Sequence, residues 1–186
     1  MKICVFCSAR SDFSESTLQA CKDFAVWLVK NNHSMVYGGA SVGLMGLLAD
    51  EVLKLGGQVE GYLPLDLFPK ETPHKHIQKL VPVKDLFERK RLMMENSDAF
   101  IVLPGGVGTL DEFFEVLTWK SLNCFDKPIL VYNVDGFWNS MMIMFRDLRL
   151  KNVLSDNLLG CFTVCTRLME LQEGLNAERS TAQLVP

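Results

Sequence analysis

The sequence predicts an α/β fold, a doubly wound parallel sheet with helices on both faces. Three observations carry that expectation. Short apolar runs alternate with amphipathic stretches along the chain, the pattern of strands exchanging with helices. Two of those runs, Met35-Val36-Tyr37 and Ala99-Phe100-Ile101-Val102-Leu103, lead into a glycine-rich turn and then a helical pattern. Nothing among the 186 residues reads as a linker or a repeat, so one domain over residues 1–186 is expected, with 175–186 as a frayed tail.

The elements follow in order. Residues 2–7 read as the first strand, and the polar loop Ser8-Ala9-Arg10-Ser11-Asp12 lies at its carboxyl end, the edge where open α/β sheets bind ligands. Ser14 or Ser16 caps a helix running to residue 30, with Leu18, Cys21, Phe24, Ala25 and Leu28 on one face. Asn31-Asn32-His33 stops it, His33 as an exposed turn residue. Residues 34–37 form a second strand; Gly38-Gly39-Ala40-Ser41-Val42-Gly43-Leu44-Met45-Gly46 turns into a helix to about residue 55, ended by Gly56-Gly57. Residues 58–63 are a third strand. The segment 64–82, with Pro64, Pro69, Pro73 and Pro82, is the least regular, and a long loop beside a binding edge suits a lid. His74 and His76 within it read as solvated. Asp85 caps a helix over 86–96 that carries Arg89, Lys90 and Arg91, cations that are either a solvated face or within reach of a bound phosphate. Residues 127–132 make another strand, 138–150 a helix with Met141, Met142, Phe145 and Leu148 as its core face, and a short strand near 161–164 and a helix from 166 to about 174 close the chain.

The stretch around which the rest is organised is Pro104-Gly105-Gly106-Val107-Gly108-Thr109-Leu110-Asp111-Glu112. Pro104 ends a buried strand, and the glycines permit a tight turn and the close approach of a ligand. Thr109 and Glu112 have capping-box spacing, and Phe113, Phe114, Val116, Leu117 and Trp119 are spaced for the buried side of the following helix. A strand, a glycine turn and a helix N-terminus make an anion site, because free N–H groups and the helix dipole face the turn. No Lys-Ser/Thr pair follows, so this is not a P-loop, and the spacing is not that of the dinucleotide fingerprint. A carboxylate aimed at phosphate would repel it. Glu112 therefore aims past the phosphate, at groups such as ribose hydroxyls. The second glycine turn, at Gly38, makes a ligand crevice between the two turns the expectation.

A net charge of -3 leaves no nucleic-acid footprint. The apolar start is too short for a signal peptide and no apolar run is long enough to cross a membrane, so a cytoplasmic protein with reduced cysteines is expected. Cys4 and Cys7 have C-x-x-C spacing without a second pair; Cys4, Cys21, Cys124, Cys161 and Cys165 read as small buried residues, with no metal site.

The segments Tyr37 through Gly46, Glu88-Arg89-Lys90, Pro104 through Glu112 and Glu115-Val116-Leu117-Thr118-Trp119 together resemble the LONELY GUY (LOG) family of cytokinin riboside 5′-monophosphate phosphoribohydrolases, long labelled lysine decarboxylases. The resemblance runs to about residue 171. It implies a Rossmann-like fold, a homodimer with the site near the subunit interface, a nucleoside 5′-monophosphate substrate, and no metal or organic cofactor. It implies Arg89 and Glu112 as the catalytic pair. Substrate contacts carry over to Glu71, Lys90, Gly105, Gly106, Val107, Gly108, Thr109, Leu110, Asp111 and Thr118, with Gly39, Gly43, Met45 and Ser8 from the first two loops. The chain departs from the family pattern at Ala40, at Cys7-Ser8-Ala9-Arg10, at Leu86-Phe87 and at Asp111.

The implied reaction fits the residue types. Cleavage of an N-glycosidic bond passes through an oxocarbenium-like sugar, which a carboxylate such as Glu112 stabilises, while Arg89 meets either phosphate or the leaving base. A molybdenum-cofactor carrier is the non-catalytic alternative, but it has no need of the Arg89 and Glu112 pair. A pyridoxal-phosphate decarboxylase would require a lysine in Schiff-base context, which the sequence does not show.

Overall fold

The computed structural model describes residues 1–64 and 72–182. Its strands are β1 (Lys2–Phe6), β2 (Ser34–Tyr37), β3 (Val59–Pro64), β4 (Lys79–Val83), β5 (Ala99–Val102), β6 (Ile129–Tyr132) and β7 (Thr163–Cys165). Its helices are α1 (Glu15–Lys30), α2 (Gly43–Lys54), α3 (Leu86–Glu95), α4 (Val107–Ser121), α5 (Asn139–Leu150), α6 (Asp156–Leu159) and α7 (Leu168–Ala182). The strands form one seven-stranded parallel sheet in the order β4-β3-β2-β1-β5-β6-β7. The Rossmann-like α/β fold expected from the sequence is the fold observed.

Each central strand is apolar on both sides because both faces of the sheet are covered. In β1, Ile3 and Val5 point into a core shared with α1, α2 and α7, whereas Cys4 and Phe6 point into a second core with α3, α4 and α5. The chain winds outward from β1 to β4, returns to the centre at β5 and winds out the other way. The strand order therefore reverses between β1 and β5, and the crevice beyond their carboxyl ends is where such sheets take ligands.

Four local expectations are corrected. The segment read as irregular contains β4, an edge strand that tolerates Pro82 because one side of it has no neighbour to receive an N–H. His74 is not solvated but 3 % exposed, with Nε2 3.2 Å from Asp50 Oδ1. Cys124 is exposed rather than buried. The stretch from Leu175, expected to fray, continues α7 to Ala182, with Leu175 buried in the first core.

Candidate active site

The loop after β1 bridges the two glycine turns. Ser8 N–H donates to Pro104 O at 3.2 Å, beside the turn that opens α4. Ser8 O accepts from Met45 N–H at 3.2 Å and Arg10 O from Leu44 N–H at 3.0 Å, so two amides at the start of α2 are already taken. Arg10 N–H donates to Ser8 Oγ at 2.9 Å, which stiffens the loop. Gly43, at φ +59°, lies so close to the Ala9 carbonyl that no side chain fits there.

The start of α4 is arranged differently. Gly106 is the N-cap, in extended conformation with no side-chain cap bond, and the helix begins at Val107. This overturns the expected capping box: Thr109 is inside the first turn and buried, its side chain packed against Gly105. The backbone N–H groups of Val107, Gly108 and Thr109 meet no acceptor among the described residues. Their amides and the dipole of a helix running Val107–Ser121 face a cavity of about 450 Å³.

That cavity is lined by Cys7, Ser8, Ala9, Arg10, Met45, Leu86, Arg89, Lys90, Gly106, Val107, Gly108, Thr109, Asp111 and Glu112. Asp85 caps α3 by accepting from Glu88 N–H at 2.8 Å, and the helix then presents Arg89 to the cavity. Arg89 Nη2 lies 3.5 Å from Glu112 Oε1, with the two side chains 7 % and 10 % exposed. A Cβ at Gly38 would overlap the Arg89 guanidinium, so the bare Cα there is the seat of this arginine. A buried ion pair is weak as a source of stability, since desolvation offsets its attraction. Its position in a cavity makes it a candidate for chemistry instead.

Lys90 Nζ is held between Asp111 Oδ2 at 2.8 Å and Glu115 Oε2 at 2.5 Å. Burial pulls its pKa down, but the hydrogen bonds to Asp111 and Glu115 win, and the net shift is upward. The Cys7 thiol is pushed well up by burial first and by Glu112 second, so it stays protonated and is no nucleophile. A depression of similar size, about 460 Å³, lies at the opposite edge of the sheet near Met1, His33 and Asp98, away from the strand-order reversal and without a buried ion pair.

Most of the residues expected at the site are brought together: Ser8, Met45, Arg89, Lys90, Gly106, Val107, Gly108, Thr109, Asp111 and Glu112. Others are not. Gly39 is buried against Leu80, Tyr62 and Leu63, its carbonyl accepting from His74 N–H at 2.9 Å. Gly43 serves the close approach to Ala9, and Gly105 the packing of Thr109. Leu110 faces a separate apolar groove with Phe114 and Trp138. Thr118 is exposed and donates to Phe114 O. Glu71 lies outside the described residues. The lining residues not singled out as ligands were Cys7, Ala9, Arg10 and Leu86; the position of the first three after a central strand was their only sequence signal.

The model of a family described as "Possible lysine decarboxylase" matches residues 45–175. The cytokinin riboside 5′-monophosphate phosphoribohydrolase LOG3 of Arabidopsis thaliana is 43 % identical over 141 residues, and LOG1 of the same plant 42 % over 141. These matches take in 76 % of this chain and 66 % of each relative, a little under two thirds of their length. The molybdenum cofactor carrier protein of Chlamydomonas reinhardtii superposes with a TM-score of 0.71 at 18 % identity, covering 96 % of this chain and 98 % of that one, a likeness of fold alone. With the family match over most of its length and the Arg89 and Glu112 pair in place, the chain belongs to the LOG family, whose model carries the lysine decarboxylase description.

Proposed function

We propose that this protein hydrolyses the N-glycosidic bond of a purine nucleoside 5′-monophosphate, with or without an N6 substituent, releasing free base and ribose 5-phosphate. The observation that carries the reading is the buried Arg89 and Glu112 pair beside the first amides of α4, which meet no acceptor among the described residues. The amides of Val107, Gly108 and Thr109 take the 5′-phosphate. Glu112, one helical turn further on, meets the ribose. As the bond from C1′ to the base breaks, positive charge grows on the sugar, and a fixed carboxylate stabilises it without having to reorganise. Water adds to C1′ and the base leaves with a proton. Arg89 holds the carboxylate in position from one side. Phosphate binding far from the breaking bond orients the reacting carbon.

Asp111 and Lys90 brace α3 against α4 and keep Arg89 facing Glu112. The relatives named as phosphoribohydrolases support this chemistry. The lysine decarboxylase description gains nothing from the cavity lysine: an amine nucleophile needs a lowered pKa, and that of Lys90 is raised. Homodimer formation belongs to the same proposal. Phe87, Val107, Trp119 and Leu122 stand exposed along α3 and α4, an apolar surface suited to a second copy. So does a cytoplasmic location. Among the described residues no helix is long and apolar enough to cross a membrane.

The test is to incubate the protein with a panel of nucleoside 5′-monophosphates and the matching nucleosides, separating free base from sugar phosphate by chromatography. Release of base from AMP or an N6-substituted analogue, with adenosine at least ~100-fold poorer in kcat/KM, is the expected result. Binding without release across the panel would favour the carrier reading.

A further inference from the structure

Among the described residues, the charged side chains at the cavity leave a phosphate dianion undercompensated, and Arg10 narrows the shortfall. Arg89 is matched by Glu112, and Lys90 faces both Asp111 and Glu115, so this group holds two cations against three carboxylates. The start of α4 adds about half a positive charge. A phosphate monoester brings close to two negative charges. Arg10 borders the same cavity from the loop after β1. Its ion-pair partner among the described residues is Asp12, 3.0 Å away, which does not line the cavity. The two side chains are 81 % and 75 % exposed, and an exposed pair of this kind is readily exchanged for a better anion.

The geometry of the loop favours that exchange. The backbone of Arg10 is held at both ends, its N–H by Ser8 Oγ and its carbonyl by Leu44 N–H. The side chain therefore starts from a fixed point beside the cavity and keeps its rotamer freedom. A planar guanidinium can grip two phosphate oxygens at once, on the side of the anion that the α4 amides do not reach. The residue also lies outside the 45–175 span matched by the family model.

We propose that Arg10 is a phosphate-binding residue of this site, meeting the anion from the β1 side while the α4 amides hold it from below. The proposal rests on the nucleoside monophosphate reading. It makes Arg10 a source of preference for phosphorylated over unphosphorylated substrates, expressed in binding.

Calorimetric titration with ribose 5-phosphate, and with ribose as the uncharged control, tests it without turnover. Arg10→Gln should weaken ribose 5-phosphate binding at least ~10-fold, with the difference shrinking as salt is raised. Arg10→Lys should recover part of the loss, as a point charge without the bidentate grip. The thermal midpoint should not move, because the side chain is exposed. KM for the nucleotide should rise by a similar factor. Arg10→Gln protein that binds ribose 5-phosphate within about twofold of wild type overturns the assignment, as does wild type that binds ribose 5-phosphate no better than ribose. Arg10-dependent binding in a protein that releases no base would leave Arg10 in place and remove the hydrolase reading. Base release that Arg10→Gln leaves unaltered in KM would do the reverse.

Discussion

The turn between β2 and α2 and the turn between β5 and α4 have similar make-up and opposite uses of their amides. Both follow a buried central strand, both are rich in glycine, and both open a helix at the carboxyl edge of the sheet. At α2 the glycines let protein approach protein: Gly43 admits the Ala9 carbonyl, and the Leu44 and Met45 amides are spent on Arg10 and Ser8. At α4 the glycines at 106 and 108 face open space, and the first amides have no acceptor among the described residues. Glycine richness alone reports that something comes close to the backbone. Whether that something is a carbonyl or a ligand depends on what lies opposite, and here a single loop, Ser8 to Arg10, fills one turn and leaves the other open.

The largest expected effect tests whether the open turn is the working one. Glu112→Gln keeps the size of the side chain and removes its charge. If Glu112 stabilises an oxocarbenium-like sugar, kcat falls at least ~100-fold, while KM changes less because the phosphate contacts remain. The thermal midpoint should fall as well, because removing one charge of a buried pair 3.5 Å apart costs up to about 3–5 kcal/mol, so kcat is compared well below the variant's midpoint. Measuring kcat and midpoint together separates the outcomes. Near-normal turnover would strip the α4 turn of its chemistry and restore the carrier reading.

The next effect falls on the closed turn and on stability. Gly43→Ala places a Cβ against the Ala9 backbone at φ +59°, where neither atom can yield. A loss of at least ~2 kcal/mol is expected, read as a lower denaturant midpoint with unchanged slope. Gly106→Ala meets nothing within contact and should cost no more than about 1 kcal/mol, the loss of a favourable N-cap residue. Equal losses at the two positions would erase the distinction between the turns.

The alternation of strands and helices was legible because a sheet buried on both faces writes its strands as uninterrupted apolar runs. β4 escaped for the converse reason: as an edge strand with Lys79 and Pro82 exposed, it has no such run. Arg89 and Glu112 were legible as residue types, and their meeting depends on how α3 packs on α4. Thr109 and Glu112 have the spacing of a capping box, but the extended backbone of Gly106 starts the helix earlier and turns Thr109 inward. His74 carried no local sign of burial, since its partner Asp50 sits on α2, 24 residues away. The occupied amides of α2 were equally hidden, because the carbonyls that take them belong to the loop after β1.

A smaller effect probes the loop that separates the turns. Ser8 Oγ accepts the Arg10 N–H at 2.9 Å, and Ser8→Ala removes that bond while leaving the carbonyl that occupies Met45. The cost should be about 1 kcal/mol, the usual net worth of one hydrogen bond, measured by denaturant unfolding. A loop that loses its stiffness also loosens Arg10, so KM for the nucleotide should rise a few-fold (on the order of 1 kcal/mol or less). A change in stability with no change in KM would confine the loop to a structural task.

The smallest change in stability belongs to Gly108→Ala, and it bears most directly on why α4 begins with glycine. Gly108 is exposed, lies in the first turn of α4, and a Cβ built there meets nothing. Alanine is the better helix former by up to ~1 kcal/mol in a helix interior and by less at an end, so the midpoint should hold or rise slightly. No packing argument therefore explains the glycine. The proposed ligand would: the residue lines the cavity, and a methyl group at the mouth of an amide cradle would keep a phosphate from settling against the N–H groups. KM for the nucleotide should rise ~5- to 10-fold, about 1 to 1.4 kcal/mol, with adenosine unaffected. The comparison of AMP with adenosine in one variant isolates the phosphate from the rest of the substrate. If the midpoint rises and KM for AMP does not, the open turn is open for no ligand, and its glycines mark nothing more than the geometry of a helix start.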